Sequence, residues 1–353
     1  MSKQYALITA TSMGVRITPV DRQPVGAGNL YRMQATSAET NVLNVSAALG
    51  LNTLALTRFV KDSPIAAFIK GELRRRGIGY EGLETPQEGP WGARHQFNIA
   101  DTGYGVRGPR VYNDRAGEVG RDIRGEDFDL KRLFGREGAQ ILHLSGLFAA
   151  MSPQTGSACL QLIQAARANG TLVSFDLNYR ASFWKGREAQ LRQVFTRIAE
   201  AADILTGNEE DFQLALGLEG PQAGGRDLEG KTEAFQEMIG RARQRFPNAS
   251  TFAATLRQVV DANEHRWGAI LFREGDWHVA APRPIRVLDR IGGGDGFVGG
   301  LLYGILKGWP AADCLGFGWA TGAMAAATLD DYATPADEEQ VWSVWAGNAR
   351  VKR

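Results

Sequence analysis

Cysteine is nearly missing from this chain. It has two in 353 residues, Cys159 and Cys314, each inside apolar helical sequence. A disulfide framework and a cysteine zinc site are therefore excluded. Histidine is almost as scarce: His95, His143, His265 and His278 show no metal-ligand spacing, and His143 sits in a buried-strand pattern that reads as core. Neither sign of charge is in excess, since 40 Lys and Arg face 39 Asp and Glu for a formal net charge of +1. Without a basic field, no nucleic-acid partner is expected. No apolar run approaches the roughly 18 residues of a membrane span, so no membrane partner is expected either. The first ten residues lack the apolar centre of a signal peptide, and the expectation is a cytoplasmic chain. No repeat, low-complexity tract or Gly-x-Ser-x-Gly nucleophile motif occurs. What is abundant is glycine: 43 residues, about 12% against a usual value of about 7%.

From about residue 126 onward, short apolar runs alternate with amphipathic stretches of 10–15 residues. The strands expected there are 140–145, 172–176, 203–206, 251–256, 268–272 and 277–280. The helices are 154–168, 187–200, 209–216, 232–246, 294–306 and 311–327. Residues 217–230 read as a Gly-rich surface loop. The N-terminal part adds strands at 5–10 and 51–59 and helices at 37–50 and 64–76. This alternation predicts an α/β fold, a mostly parallel central sheet with helices on both faces. Two stretches, about 12–36 and 92–125, are hairpin-like and too polar for buried parallel strands. They read as a small β-sheet lid on a single domain spanning 1–353. So thin a layer has little core and exposed edges, which predicts a homodimer through the lid or a higher homo-oligomer.

The run Asp289-Arg-Ile-Gly-Gly-Gly-Asp-Gly-Phe-Val-Gly-Gly-Leu301 carries the chemistry. Glycines 292–294 have no Cβ to shield their amides, and the helix that follows turns its positive dipole end toward them. Such a cradle suits a transferring phosphoryl group. Asp295, in the first turn, is placed to accept the proton of an attacking hydroxyl. The run is neither a Walker A loop nor a dinucleotide fingerprint, because the Lys-Ser/Thr pair and the Gly-x-Gly-x-x-Gly spacing are both missing. A second group, Asp176, Asn178 and Arg180, follows an apolar strand. In open α/β sheets, ligands bind beyond the carboxyl ends of such strands. The Arg180 guanidinium suits a carboxylate.

At these motifs the chain resembles the ribokinase-like (PfkB) family of carbohydrate kinases, whose signature reads Asp-Thr-x-Gly-Ala-Gly-Asp-x-Phe-x-x-Gly. Asp289, Gly292, Gly294, Asp295, Phe297 and Gly300 match; Arg290 stands for Thr and Gly293 for Ala. The resemblance implies Asp295 as general base and Gly292, Gly293 and Gly294 as the anion hole, with Gly292 and Gly294 also meeting the nucleotide. It implies Asn41 as a sugar-hydroxyl contact, although the paired glycines usual before it are missing here. Asp176-Leu-Asn-Tyr-Arg180 is similar to the Asp-x-Asn-x-Arg of fructokinases and 2-keto-3-deoxygluconate kinases. Tyr112 and Arg115 are similar to the segment with which the latter grip an acid sugar. Asn208, Glu210 and Asp211 fall where the family organises Mg²⁺, partly through water. Arg257 stands where many members contact the nucleotide phosphates, and 263–267 reads as an insertion beside it. Together these imply an ATP- and Mg²⁺-dependent kinase acting on a primary hydroxyl, with 2-keto-3-deoxygluconate preferred and fructose or another neutral sugar the rival. A sugar- or nucleotide-binding regulator without turnover is the alternative of a different class.

Overall fold

The computed structural model describes residues 3–220 and 232–350. Strands β1 (Tyr5–Ala10), β2 (Gly14–Pro19) and β3 (Tyr31–Thr36) open the chain, followed by β4 (Thr53–Val60) and β5 (Gly79–Thr85). Next come β6 (Gln96–Ala100), β7 (Val111–Asp114), β8 (Ala139–Ser145), β9 (Leu172–Asp176) and β10 (Ile204–Gly207). β11 (Thr251–Val259), β12 (Glu264–Arg273) and β13 (Asp276–Arg286) complete the set. Nine of these strands form one sheet in the order β13-β12-β11-β10-β9-β8-β1-β4-β5. It is parallel from β5 to β11, and β12 runs antiparallel to its two neighbours, β11 and β13.

Successive side chains on a strand point to opposite faces, and here both faces are buried. Ile8, Leu142 and Leu205 enter one apolar cluster, while their neighbours Leu7, Ile141 and Ile204 enter the other. That is why these strands read as continuous apolar runs. Helices Pro153–Ala168, Glu188–Ala201 and Thr232–Arg245 close the first face. Helices Ala38–Ala48, Pro64–Arg75, Gly293–Leu306 and Ala311–Ala326 close the second. The last two touch through small residues: a Cβ on Gly300 would lie 2.1 Å from Thr321 Oγ1, which itself donates to the Gly296 carbonyl at 2.7 Å.

The other four strands form a separate sheet in the order β3-β2-β6-β7. Two antiparallel pairs, β2/β3 and β6/β7, are joined by parallel pairing of β2 with β6. Its inner residues Val15 and Ala35 are buried, while Tyr31, Met33, Val111 and Tyr112 are exposed. The turn beyond β6 reaches the β11–β12 hairpin, where Ala262 N–H donates to the Gly105 carbonyl at 2.9 Å and Gly105 N–H to Asn263 Oδ1 at 2.8 Å.

Residues 263–267, expected as an insertion, lie in the long hairpin of β11 and β12, which pairs Arg257 with Trp267 and Val259 with His265. The segment expected as a helix over 209–216 is helical throughout, with a π-type stretch at Asp211–Ala215. Strand β5 was not anticipated at all. The loop expected over 217–230 lies, from 221 on, outside the described residues.

Candidate active site

The carboxyl ends of β1, β8, β9 and β10 open onto one crevice, and two helix N-termini reach the same edge. The first belongs to Gly293–Leu306. Its N-cap, Gly292, has φ +83°, and a Cβ there would lie 1.8 Å from the Asp331 carbonyl oxygen, so only glycine fits. Gly296 N–H makes the first bond of the helix, to the Gly292 carbonyl at 2.8 Å. The amides of Gly293, Gly294 and Asp295 come before it and have no intrahelical acceptor. A Cβ on Gly294 would meet nothing within 4 Å, so the space beside that residue is open.

Asp295 stands in this first turn, half-buried. Burial pushes its carboxyl up to about 7, and Asp331 and Glu39 push the same way, against the Asn41 hydrogen bond and the Arg180 charge. Asn41 Nδ2 donates to Asp295 Oδ2 at 2.9 Å, across 254 residues of sequence. Asn41 belongs to the second helix at this edge, Ala38–Ala48, which Ser37 caps by accepting the Thr40 amide at 3.1 Å. Two residues before Asn41, the buried Glu39 accepts from Thr11 Oγ1 at 2.6 Å and from the Ser145 hydroxyl, tying the helix to the ends of β1 and β8.

The loop after β9 supplies the next groups. Asp176 is buried and accepts only a long bond, 3.3 Å, from Thr206 Oγ1. Burial raises its pKa, and Asp211 and Asp295 add to the rise. Asn178 is left-handed at φ +37°, and its buried Oδ1 has no partner among the described residues. Arg180 is exposed, with Nη1 on the Tyr179 carbonyl at 2.8 Å. Asp211 accepts the Tyr179 and Asn208 amides at 2.8 Å each, while its own amide donates to Asn208 Oδ1 at 3.0 Å. It thus staples the β9 and β10 loops together. Burial pushes its carboxyl up to about 6. Glu210 beside it is exposed.

Opposite these acids stand Arg257 on β11 and Arg290 just ahead of the cradle. Burial pushes Arg257 down to about 10, and Arg290 and Arg180 act in the same direction. Arg290 is lowered by burial and then by Arg180. Neither side chain makes a hydrogen bond or ion pair among the described residues, so two half-buried guanidinium groups lie open to an anion.

The structure therefore gathers Asn41, Asp176, Asn178, Arg180, Asn208, Asp211, Arg257 and Asp295 around one crevice, with Gly292–Gly294 at its head. Two expected substrate residues are placed differently. Tyr112 is exposed on β7. Arg115 reaches the rim but is already paired with Glu118 at 2.7 and 3.0 Å, its guanidinium 5.2 Å above the Phe183 ring. Glu39, Arg290 and Asp331 are site-shaping groups that the sequence did not single out. Glu39 and Arg290 lie inside motifs already marked, where an unexplained charge was the available signal. Asp331 has no local signal.

An amide cradle, a carboxyl of raised pKa and cations without a partner among the described residues, all at the carboxyl edge of an α/β sheet, are the groups that group transfer calls for. The chain belongs to the pfkB family of carbohydrate kinases, whose model matches residues 122–246 and 264–337. Its fold is ribokinase-like. The 2-dehydro-3-deoxygluconokinase of Thermotoga maritima superposes with a TM-score of 0.87 at 24% identity, over 98% of this chain and 100% of that one. A ribokinase II structure from E. coli in complex with ATP and Mg²⁺ superposes at 0.77 and 16% identity, over 97% of this chain and 99% of that one. In sequence, the chain is 24% identical to the 2-dehydro-3-deoxygalactonokinase of Haloferax volcanii over 352 residues, 98% of this chain and 99% of the relative. It is 22% identical to the 5-dehydro-2-deoxygluconokinase of Clostridium perfringens over 329 residues, 92% and 88% of the two chains. Among the described residues, no helix is long and apolar enough to cross a membrane.

Proposed function

We propose that this carbohydrate kinase transfers the γ-phosphoryl group of ATP to the primary hydroxyl of a sugar acid, with 2-keto-3-deoxygluconate going to its 6-phosphate. The observation that carries the reading is the Asp295 carboxyl, 2.9 Å from Asn41 Nδ2 and poised at about 7 beside the amides of the cradle. A base near its working pH takes up the hydroxyl proton as the oxygen attacks. The amides at 293–295 then hold the charge spread over the transferring phosphoryl oxygens. Asn41 fixes which carboxylate oxygen faces the acceptor. Asn178 Oδ1, buried and unpartnered, is left to bind a sugar hydroxyl. Arg257 and Arg290 take the polyphosphate. Arg180, exposed at the rim, takes the sugar's carboxylate, and Arg115 adds its field from the second sheet. That sheet acts as a lid excluding water from the transfer.

Mg²⁺ favours one or two carboxylates together with phosphate and water. Asp176 and Asp211, each raised by burial with no cation in contact, fit that demand, while the exposed Glu210 fits only through water. When bound, the ion supplies charge neutralisation on the phosphates. The acid-sugar reading is supported by Arg180 and by the relatives named above as a deoxygluconokinase or a deoxygalactonokinase.

The test is ADP release over a panel of acid and neutral sugars with ATP and Mg²⁺. Fast turnover of fructose with none of the keto acid would overturn the substrate. Asp295→Asn is expected to lose at least about a hundredfold in turnover, the usual size of a general-base effect. In the parent enzyme kcat/KM is expected to rise with pH through about 7 as Asp295 deprotonates. Turnover by Asp295→Asn at the parent rate would remove the base.

A further inference from the structure

Behind the crevice lies a buried charge cluster that the transfer chemistry above does not use. Arg16, on β2 of the smaller sheet, is fully buried. Its Nη2 donates to Asp289 Oδ2 at 2.5 Å and its Nη1 to the Asp331 carboxylate. Thr36 Oγ1, on the neighbouring strand β3, donates to Asp331 Oδ2 at 2.7 Å. Both carboxylates belong to the wall of the cradle. Asp289 accepts the Ile291 amide at 3.0 Å, just ahead of Gly292, and the Asp331 carbonyl is the atom that a Cβ on Gly292 would strike. Two acids and one guanidinium thus stand directly behind amides that must attract an anion.

We propose that Arg16 is a positioning residue for phosphoryl transfer: carried by the smaller sheet, it offsets the charge of Asp289 and Asp331 behind the glycine cradle and keeps Asp295 available as a base. The inference rests on the reading of Asp295 given above. Burying three charges is a poor route to stability, because well-packed apolar groups do as well or better. What the cluster supplies is a field and a fixed seat. Without the guanidinium, two uncompensated carboxylates would repel the entering phosphate and hold the proton on Asp295 more tightly. The groups facing Asp295 are Asn41 and Glu39 from the helix Ala38–Ala48, Arg180 and Asp176 from the β9 loop, and Asp331 from the chain after helix Ala311–Ala326. Of these, Asp331 is the one whose charge Arg16 cancels by direct contact. The same contact ties the smaller sheet to the cradle, so the two halves of the crevice are set together.

The test compares Arg16→Gln and Asp331→Asn with the parent in two measurements: the pH profile of kcat/KM, and titration with a non-hydrolysable ATP analogue. Arg16→Gln is expected to move the acid limb to higher pH by about half a unit or more, and to weaken analogue binding by about threefold or more. Asp331→Asn removes a negative charge, so its limb moves to lower pH and its binding holds or tightens. A purely structural role would not give shifts of opposite sign. Unchanged limbs and affinities in folded variants, or shifts in one common direction, overturn the proposal. If circular dichroism shows that Arg16→Gln does not fold, the sign of the Asp331→Asn shift decides alone. A parent enzyme with no limb near pH 7 would instead refute the role of Asp295, and the binding titrations would still decide that of Arg16.

Discussion

At the scale of single residues, the raised pKa that suits Asp295 to the proposed role of base also makes it a burden on stability. Its pKa in the folded protein is about 7, against about 3.9 for an unperturbed aspartate. Between those values the native state holds a proton that the unfolded chain has released. Its stabilising contribution is therefore complete below about pH 4 and lost as pH rises through about 7. Asp295→Asn is expected to raise Tm by a few degrees at about pH 8 and to leave it unchanged near pH 4. Thermal unfolding at the two pH values checks this, and an equal shift at both would mean the carboxyl is not held protonated. His143 shows the opposite case of a buried titratable group. Fully buried, with Nδ1 3.1 Å from Ser174 Oγ and a pKa pushed down to about 3, it stays neutral and serves packing, as its strand pattern suggested.

At the scale of elements, two glycines one residue apart in the cradle do different work. Gly292→Ala must put a Cβ into the Asp331 carbonyl in a left-handed backbone, so the variant is expected to unfold at markedly lower temperature. Gly294→Ala meets no atom of the protein and should keep nearly the parent Tm. On the proposed reading its methyl would intrude on the space left for phosphate, so it is expected to weaken ATP-analogue binding by about tenfold. Calorimetry and titration on the pair separate fold from site; equal Tm losses would show that the cradle is merely a tight turn. Strand β5 escaped sequence reading for a physical reason. β5 begins Gly79-Tyr-Glu-Gly82 and pairs along only one edge, with β4, so half-exposed residues replace the apolar run of an inner strand. The π-type stretch Asp211–Ala215 departs from a regular helix where Asp211 is committed to two amides outside it.

At the scale of the whole molecule, the smaller sheet presents Tyr31, Met33, Val111 and Tyr112 to solvent, with Leu30 just ahead of it. Four strands with one apolar face and open edges are poorly stabilised alone. We propose that a second copy covers this face, and sedimentation should show a dimer that the double variant Tyr31→Asp, Met33→Asp dissociates. A parent monomer at all accessible concentrations would remove the idea.

The alternation of apolar runs with amphipathic helices determined the layered α/β fold, because burial on both faces of a parallel sheet leaves that period in the chain. The glycine run with its aspartate determined the cradle, because unshielded amides at a helix start need those residues in succession. Which distant groups meet there was decided only by the tertiary structure. Asn41 reaches Asp295 across 254 positions, and Arg16 reaches Asp331 across 315. Such pairings leave no local period, since a hydrogen bond or a Coulomb field depends on distance in space and not on separation along the chain.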